Sequence, residues 1–322
     1  MKVLVTGGAG YIGSHTVKEL LKKGHEIIIF DNFSSGRKEL VCGGEVIHGD
    51  LRSKEEIKAA FENHKIEAVL HFAALIQVGE SYTNPQKYYL HNLITSLNLL
   101  ETMLKFGIKY FIFSSSAAVY GIPQRIPLEE DHPLNPINPY GTTKFMVERI
   151  LQDYDRAYGL KYVSLRYFNA AGADPDGQIG EMHDPETHLI PSILLHLLGK
   201  KDNFQVFGND FPTPDGTAIR DYIHVTDLAR AHVLALERLT AENQSQAINL
   251  GSSRGYSVLE VVKAVEKVTG KKVNLKFGPR RQGDVPVLLA SSQKAESWLG
   301  WQREFSELEE IIETAWKWHQ KH

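Results

Sequence analysis

Hydrophobic and polar positions change rhythm along this chain in a regular way. Short apolar or β-branched runs alternate with longer stretches in which apolar residues recur three and four apart. The short runs are Lys2 to Val5, Glu26 to Phe30, Ala68 to His71, Tyr110 to Ser114 and Tyr162 to Arg166, and they predict buried strands. The longer stretches predict helices over Ile12 to Lys23, Lys54 to His64, Gln86 to Phe106 and Gly141 to Tyr158. Strands apolar on both sides and separated by helices predict a parallel sheet covered on both faces, because each parallel neighbour needs a crossover. The expected fold class is therefore α/β, a doubly wound parallel sheet with a smaller mixed α/β unit after it. The rhythm breaks after Asn169, where Ala170 to Pro191 and Gly208 to Gly216 are rich in Gly, Pro and Asp. This predicts a first domain over residues 1–169 and a second over 170–322, with a strand near 247–250 able to return to the first sheet.

Composition narrows the function classes. The chain has 322 residues, 42% hydrophobic and 23% charged, enough to bury one large core or two smaller ones. Its 36 basic and 39 acidic residues are interspersed and leave a net charge of -3, which argues against a nucleic-acid partner. Cys42 is the only cysteine, so no intrachain disulfide forms, no Cys/His grouping has structural-zinc spacing, and a reducing cytoplasm is the expected setting. Neither a basic leader nor an apolar run near 18 residues is visible, so no signal peptide and no membrane partner are expected.

Thr6-Gly7-Gly8-Ala9-Gly10-Tyr11-Ile12-Gly13 joins the first strand to the first helix. Glycines in that place let backbone amides approach a pyrophosphate at the positive helix end, as in a Rossmann-type sheet. Taken singly, such a turn also reads as ordinary strand-to-helix glycines. Asp31 ends the second strand about 20 residues further on, where an acid accepts hydrogen bonds from an adenosine ribose and repels a 2′-phosphate. NAD is thus favoured over NADP, with Arg37 nearby as the contrary sign, and a loop acid or helix cap as the plainer reading of Asp31. Asp50-Leu51 and His71-Phe72-Ala73-Ala74 follow the third and fourth strands at the same edge. His71 itself reads more simply as a satisfied core histidine.

Tyr140 and Lys144 stand four residues apart near the start of a helix, so both side chains leave one face a turn apart. By itself this spacing is common on helix surfaces. Here Ser114-Ser115-Ser116 ends the preceding strand, within reach of the same substrate oxygen. A tyrosine of pKa near 10 must fall by roughly three units to act as a base at neutral pH, a cost of about 4 kcal/mol. A lysine ammonium and an oxidised nicotinamide, each ~5 Å away, contribute about 3 kcal/mol apiece at an effective dielectric near 20.

The glycine turn, the triple serine and Tyr140-x-x-x-Lys144 together resemble the extended short-chain dehydrogenase/reductase family, and within it the branch that inverts C4 of UDP-hexoses. Further matches span nearly the whole chain: Gly10 to His15, Asp31 to Gly36, His71 to Leu75, Ser114 to Gly121, Arg166 to Asn169, Phe207 to Asp210, Arg220 to Val225 and Pro279 to Asp284. The resemblance implies an NAD-binding Rossmann domain followed by a UDP-sugar-binding one, and an isomerase of galactose metabolism that works on UDP-glucose and UDP-galactose as a homodimer. Its dimer contact would be a four-helix one through Gln86 to Phe106 and Gly141 to Tyr158. It implies Tyr140 as base, Lys144 as its electrostatic partner and Ser116 as the hydroxyl that positions the sugar oxygen. The implied cofactor-binding set is Gly7, Gly10, Tyr11, Ile12, Gly13, Asp31, Asn32, Ser34, Ser35, Gly36, Asp50, Leu51, Phe72, Ala73, Ala74, His91, Ser114, Tyr140, Lys144 and Phe168, around a tightly held, recycled NAD. The implied substrate set is Ser116, Tyr140, Asn169, His188, Leu189, Val206, Phe207, Arg220, Tyr222, Arg281, Asp284 and Leu288, with the arginines on the diphosphate. Arg280-Arg281 without the resemblance reads as a solvated basic pair, and Tyr222 equally as core. No metal is implied. Departures from some relatives are Ala118 for threonine, Ile76 for lysine, His91 before Asn92 and His188 for asparagine. Leu288, of intermediate size, stands at the gate beside the sugar's C2 group and leaves N-acetylated sugars open. A nucleotide-sugar dehydratase of the same family is the nearest alternative, but its Asp-Glu pair is replaced by Ser115-Ser116-Ala117. A non-catalytic NAD-binding sensor is the alternative from another class, and it would not need Tyr140, Lys144 and the arginines together.

Overall fold

The computed structural model describes all residues from Met1 to His322. The strands are β1 (Lys2–Thr6), β2 (Glu26–Asp31), β3 (Glu45–His48), β4 (Ala68–His71), β5 (Tyr110–Ser114), β6 (Lys161–Tyr167), β7 (Asn169–Ala171), β8 (Val206–Phe207), β9 (Ile219–His224), β10 (Gln246–Leu250), β11 (Gly255–Ser257), β12 (Phe277–Gly278) and β13 (Val287–Leu288). The helices are α1 (Tyr11–Lys22), α2 (Lys54–Asn63), α3 (Val78–Thr83), α4 (Pro85–Tyr88), α5 (Thr95–Lys105), α6 (Pro139–Tyr158), α7 (Leu189–Leu197), α8 (Val225–Glu242), α9 (Val258–Thr269) and α10 (Leu308–Lys321).

Seven parallel strands form one sheet in the order β10-β6-β5-β4-β1-β2-β3. The chain reverses its direction of growth between β1 and β4, and the crevice beyond the carboxyl ends of such strands is where ligands bind. Side chains alternate faces along each strand. Val3, Val5, Ile27 and Ile29 pack under α1 and α8 with Val17, Leu20, Leu228 and Leu236. Leu4, Ile28 and Phe30 pack on the other side with Ile57 and Phe61 of α2, Leu99 and Met103 of α5, and Val147 and Leu151 of α6. Burial on both faces is why these strands read as unbroken apolar runs.

The strand Gln246–Leu250 joins this sheet beside β6, in register from Gln246 with Val163 to Leu250 with Tyr167. Later elements make a second group in which β9 pairs with β7, β11 and β13, while α7, α9 and α10 enclose a core of Ile190, Ile193, Val261, Val265, Ile311 and Ile312. The long helical pattern from Gln86 to Phe106 is interrupted: between α4 and α5 the segment Tyr89–Ile94 widens to π spacing. Such widening is frequent at functional sites because it turns side chains out of the regular register. It places Asn92 so that its side chain accepts from the Leu75 amide (2.8 Å) and donates to the Leu75 carbonyl (3.0 Å), which pins the loop after β4.

Candidate active site

Strand β1 delivers the glycine turn to the switch point of the sheet. Gly7 has φ +73°, and a Cβ on it would lie 2.6 Å from the Ala73 nitrogen; a Cβ on Gly13 would lie 2.2 Å from the Gly7 carbonyl oxygen. Only glycine permits the left-handed turn and this approach of helix to strand. Gly10 is the N-cap of α1 and brings no capping side chain, so the first-turn amides are available to an anion. Asp31 ends β2 with its Oδ2 accepting from the Ala9 amide (3.0 Å) and its Oδ1 from that of Phe33 (2.9 Å). Burial pushes its carboxyl up, against these two amides. Asn32 donates to Asp50 Oδ2 at 3.0 Å, and Arg52 beside Asp50 holds that carboxyl well below the usual range.

These edges enclose a cavity of about 700 Å³, in the upper range for small-molecule sites, and it meets every residue of the cofactor set expected from the sequence. A closely approached backbone, a free helix end and a ribose-side acid suit an NAD-sized dinucleotide. His71 stands behind it with both ring nitrogens engaged, by Thr6 Oγ1 at 2.6 Å and Ser96 Oγ at 2.9 Å, as its reading as a core histidine requires. Burial, then the Lys144 charge, lowers its pKa to about 3.

Helix α6 starts one residue before Tyr140. Pro139 occupies its first position, and the Asn138 side chain caps it by accepting from the Gly141 amide at 2.7 Å. Tyr140 and Lys144 then emerge on its buried face, at 9% and 3% exposure. Lys144 Nζ donates to the Ser114 carbonyl at 2.7 Å and lies 5.9 Å from the centre of the Tyr140 ring. Ser116, after β5, lines the same cavity, its Oγ accepting from the Ala118 amide at 3.1 Å. Burial raises the Tyr140 phenol, with the nearby Ser116 hydroxyl pulling the other way, and lowers the Lys144 ammonium to about 7, against the pull of Glu148. Lowering the tyrosine to neutral pH takes two nearby cations. Burial weakens the charge of Lys144, so most of the lowering has to come from positive charge brought into the cavity.

A buried polar chain braces this corner. Glu148, one turn beyond Lys144, accepts from Ser115 Oγ (2.5 Å) and from Arg166 Nε (3.0 Å) and Nη2 (2.6 Å). Arg166 Nη1 donates to the Tyr120 hydroxyl at 3.0 Å, which donates to Asn249 Oδ1 at 2.6 Å. Glu148 escaped the sequence reading, although an acid four residues after Lys144 on the same face was a visible signal.

Of the substrate set, Ser116, Tyr140, Asn169 and His188 line the cavity; Leu189, Val206, Phe207, Arg220, Tyr222, Arg281, Asp284 and Leu288 do not. Strand pairing nevertheless carries the site outward: β7 and β9 set Asn169 beside Tyr222, and β9 and β13 set Arg220 beside Leu288. Arg220 Nη2 lies 3.6 Å from Asp284 Oδ1, Arg281 Nε donates to Asp284 Oδ2 at 3.3 Å, and the Arg281 guanidinium stands 5.1 Å from the centre of the Phe207 ring. Val206 and Tyr222 are buried in the second core, and Leu189 packs against it. The cavity also has walls outside the expected site residues: Glu80, Lys87 and Tyr88, and His183, Asp184 and Thr187. Lys87 and Tyr88 fall in the helical pattern that begins at Gln86, whose periodicity marks a helix and not a site, and the others come from a short helix and an irregular loop.

The model of the NAD dependent epimerase/dehydratase family matches residues 3–251. A UDP-glucose 4-epimerase of Lacticaseibacillus casei is 49% identical, over 100% of this chain and 98% of that protein. The structure of UDP-glucose 4-epimerase from Brucella ovis in complex with NAD superposes with a TM-score of 0.95 at 48% identity, covering 98% of this chain and 97% of the other. That from Bifidobacterium longum in complex with NAD+ and UDP gives 0.96 at 40% identity, covering 100% and 98%. No helix is long and apolar enough to cross a membrane. With a family model matched over most of its length and a relative this similar from end to end, the chain belongs to the NAD dependent epimerase/dehydratase family.

Proposed function

We infer that the protein interconverts UDP-glucose and UDP-galactose by inverting the sugar's C4, with NAD held and reused. The observation that carries this reading is the convergence of Ser116, Tyr140 and Lys144 in a buried corner of the same cavity that the glycine turn and Asp31 line. The relatives' names and the UDP bound to the Bifidobacterium longum protein support the substrate class.

NAD, held by the glycine turn and Asp31, would supply the hydride acceptor and donor that the side chains lack. Tyr140 takes the proton of the C4 hydroxyl and later returns it to the new hydroxyl. Lys144 stabilises the phenolate by charge, and the Ser114 carbonyl fixes its ammonium at 2.7 Å. Ser116 donates to the sugar oxygen and keeps it in line with the phenol. Arg220 and Arg281 exchange Asp284 for the two phosphates, and Asp284 turns to the uridine ribose. Held by this tether, a 4-keto sugar turns its other face without leaving the protein.

The reading includes a homodimer working in the cytosol. Leu90 (46% exposed), Ile94 (42%) and Met146 (38%) form apolar ground on the segment 89–94 and on α6, which pack together. Leu90→Glu with Ile94→Glu yields a monomer in analytical ultracentrifugation; an unchanged sedimentation coefficient rejects this surface.

The decisive experiment incubates the purified protein, without added NAD, with UDP-galactose carrying deuterium at C4. UDP-glucose forms with the label retained on C4. Exchange of the label with solvent, or an absolute need for added NAD, overturns the reading.

A further inference from the structure

Between β7 and α7 the sequence runs Glu181-Met-His183-Asp-Pro-Glu186-Thr-His188. The loop folds so that one ligand atom from each of Glu181, His183, Glu186 and His188 lies within 4.8 Å of the other three. Glu181 Oε1 meets both imidazoles, His183 Nδ1 at 2.9 Å and His188 Nδ1 at 2.6 Å; Glu186 stands 3.8 Å from the first and 3.4 Å from the second. Both carboxylates are buried, with side chains 3% and 5% exposed, whereas His188 is 45% exposed on the cavity side and leaves a way in.

We propose that these four side chains form a binding site for a divalent transition-metal ion, zinc by the character of the ligands. A tetrahedral zinc site with bonds of about 2.0–2.1 Å has ligand atoms about 3.4 Å apart. The carboxylate-to-imidazole separations of 2.6 to 3.8 Å lie around that value and no two ligand atoms are more than 4.8 Å apart, so rotations of the side chains admit the ion. Two imidazoles disfavour magnesium and calcium, which take oxygen ligands. Two buried carboxylates need two positive charges, and one divalent ion with neutral imidazoles supplies them as well as two imidazolium protons do. The ion therefore leaves the charge of the cluster unchanged and acts as a staple. The stapled loop touches three distant parts of the fold. The Glu181 carbonyl accepts from Trp318 Nε1 of α10 at 3.0 Å, the Met182 carbonyl accepts from Arg37 Nε at 3.4 Å, and the His183 ring stands edge-on to Tyr11 of the glycine turn at 6.1 Å.

The test needs neither substrate nor turnover, so its outcome is independent of the proposed reaction. Chelator-treated protein is titrated with zinc chloride by calorimetry and with cobalt chloride by visible absorption. One zinc ion binds per chain, cobalt gives the intense visible bands of a four-coordinate site, and zinc raises Tm. His183→Ala and His188→Gln, each checked for folding by circular dichroism, lose affinity by about 100-fold or more, while His64→Ala, a histidine paired with Glu45 elsewhere, keeps it. Binding that is absent, or equally strong in folded His183→Ala and His188→Gln, overturns the proposal.

Discussion

The corner around Tyr140 and the basic group around Arg281 are built in opposite ways. Tyr140, Lys144, Glu148 and Arg166 are at most 9% exposed and stand on a long helix and on β6, a strand paired on both sides. The Arg281 side chain is 58% exposed and Asp284 22%, on a loop between two strands of two residues each. The difference follows from what each has to do. Proton and hydride transfer need atoms held to within about half an ångström, which regular elements and braced rotamers provide. Grasping a diphosphate needs charge and reach, and arginines paired with a shared aspartate keep both while they wait for the ligand.

Four experiments sharpen this contrast. The largest effect is expected at Tyr140→Phe, which removes the proton acceptor and leaves the ring: C4 inversion falls by about 10³-fold, with bound NAD retained. Turnover within tenfold of the parent, in a folded variant that holds its cofactor, removes Tyr140 from its assigned role. Next is Glu148→Ala, which leaves the Arg166 guanidinium buried without its anion. Equilibrium denaturation should show a loss of about 3–5 kcal/mol. A loss below 1 kcal/mol would mean that the brace behind Lys144 is not structural.

In the basic group, Arg281→Ala should raise KM for UDP-galactose by about tenfold to a hundredfold, the worth of one charged hydrogen bond, with kcat changed far less. An equal fall in kcat would place Arg281 in the chemistry and erase the distinction between the regions. The smallest effect is a pH slope. Burial lowers Lys144 to about 7 in the folded chain, while the unfolded chain keeps it near 10.4. Between these values the unfolded state binds the extra proton, so this residue makes stability rise with pH across that window, by at most about 1.4 kcal/mol per unit. Below pH 7 its penalty is complete, and above about 10.4 it has gone. The stability difference between the cofactor-free parent and Lys144→Met, measured in denaturant from pH 7 to 9, should move in the parent's favour as pH rises. A flat difference would show that Lys144 keeps its charge in the fold.

Legibility in the sequence divides along the same line. Strands β1, β2, β4, β5 and β6 were visible as apolar runs because both their faces are covered, and the glycine turn because Gly7 and Gly13 meet backbone at distances no Cβ allows. Tyr140 and Lys144 were visible as a helical spacing after the triple serine. The break at Tyr89–Ile94 was not, since its apolar positions still fit a helix and only the clamp of Asn92 on Leu75 marks the wider turn.

From the sequence alone came whatever is local and periodic: which segments are helix or strand, where the backbone turns back on itself, and which types of side chain stand at the carboxyl edge of the sheet. Tertiary structure decided what depends on partners far along the chain. It joined Asn249 through Tyr120 and Arg166 to Glu148, aligned Arg220 with Leu288, and drew two glutamates and two histidines of an irregular loop to one point. The physical reason is that periodicity records which face of an element is buried, whereas a pairing between distant residues depends on how whole elements pack.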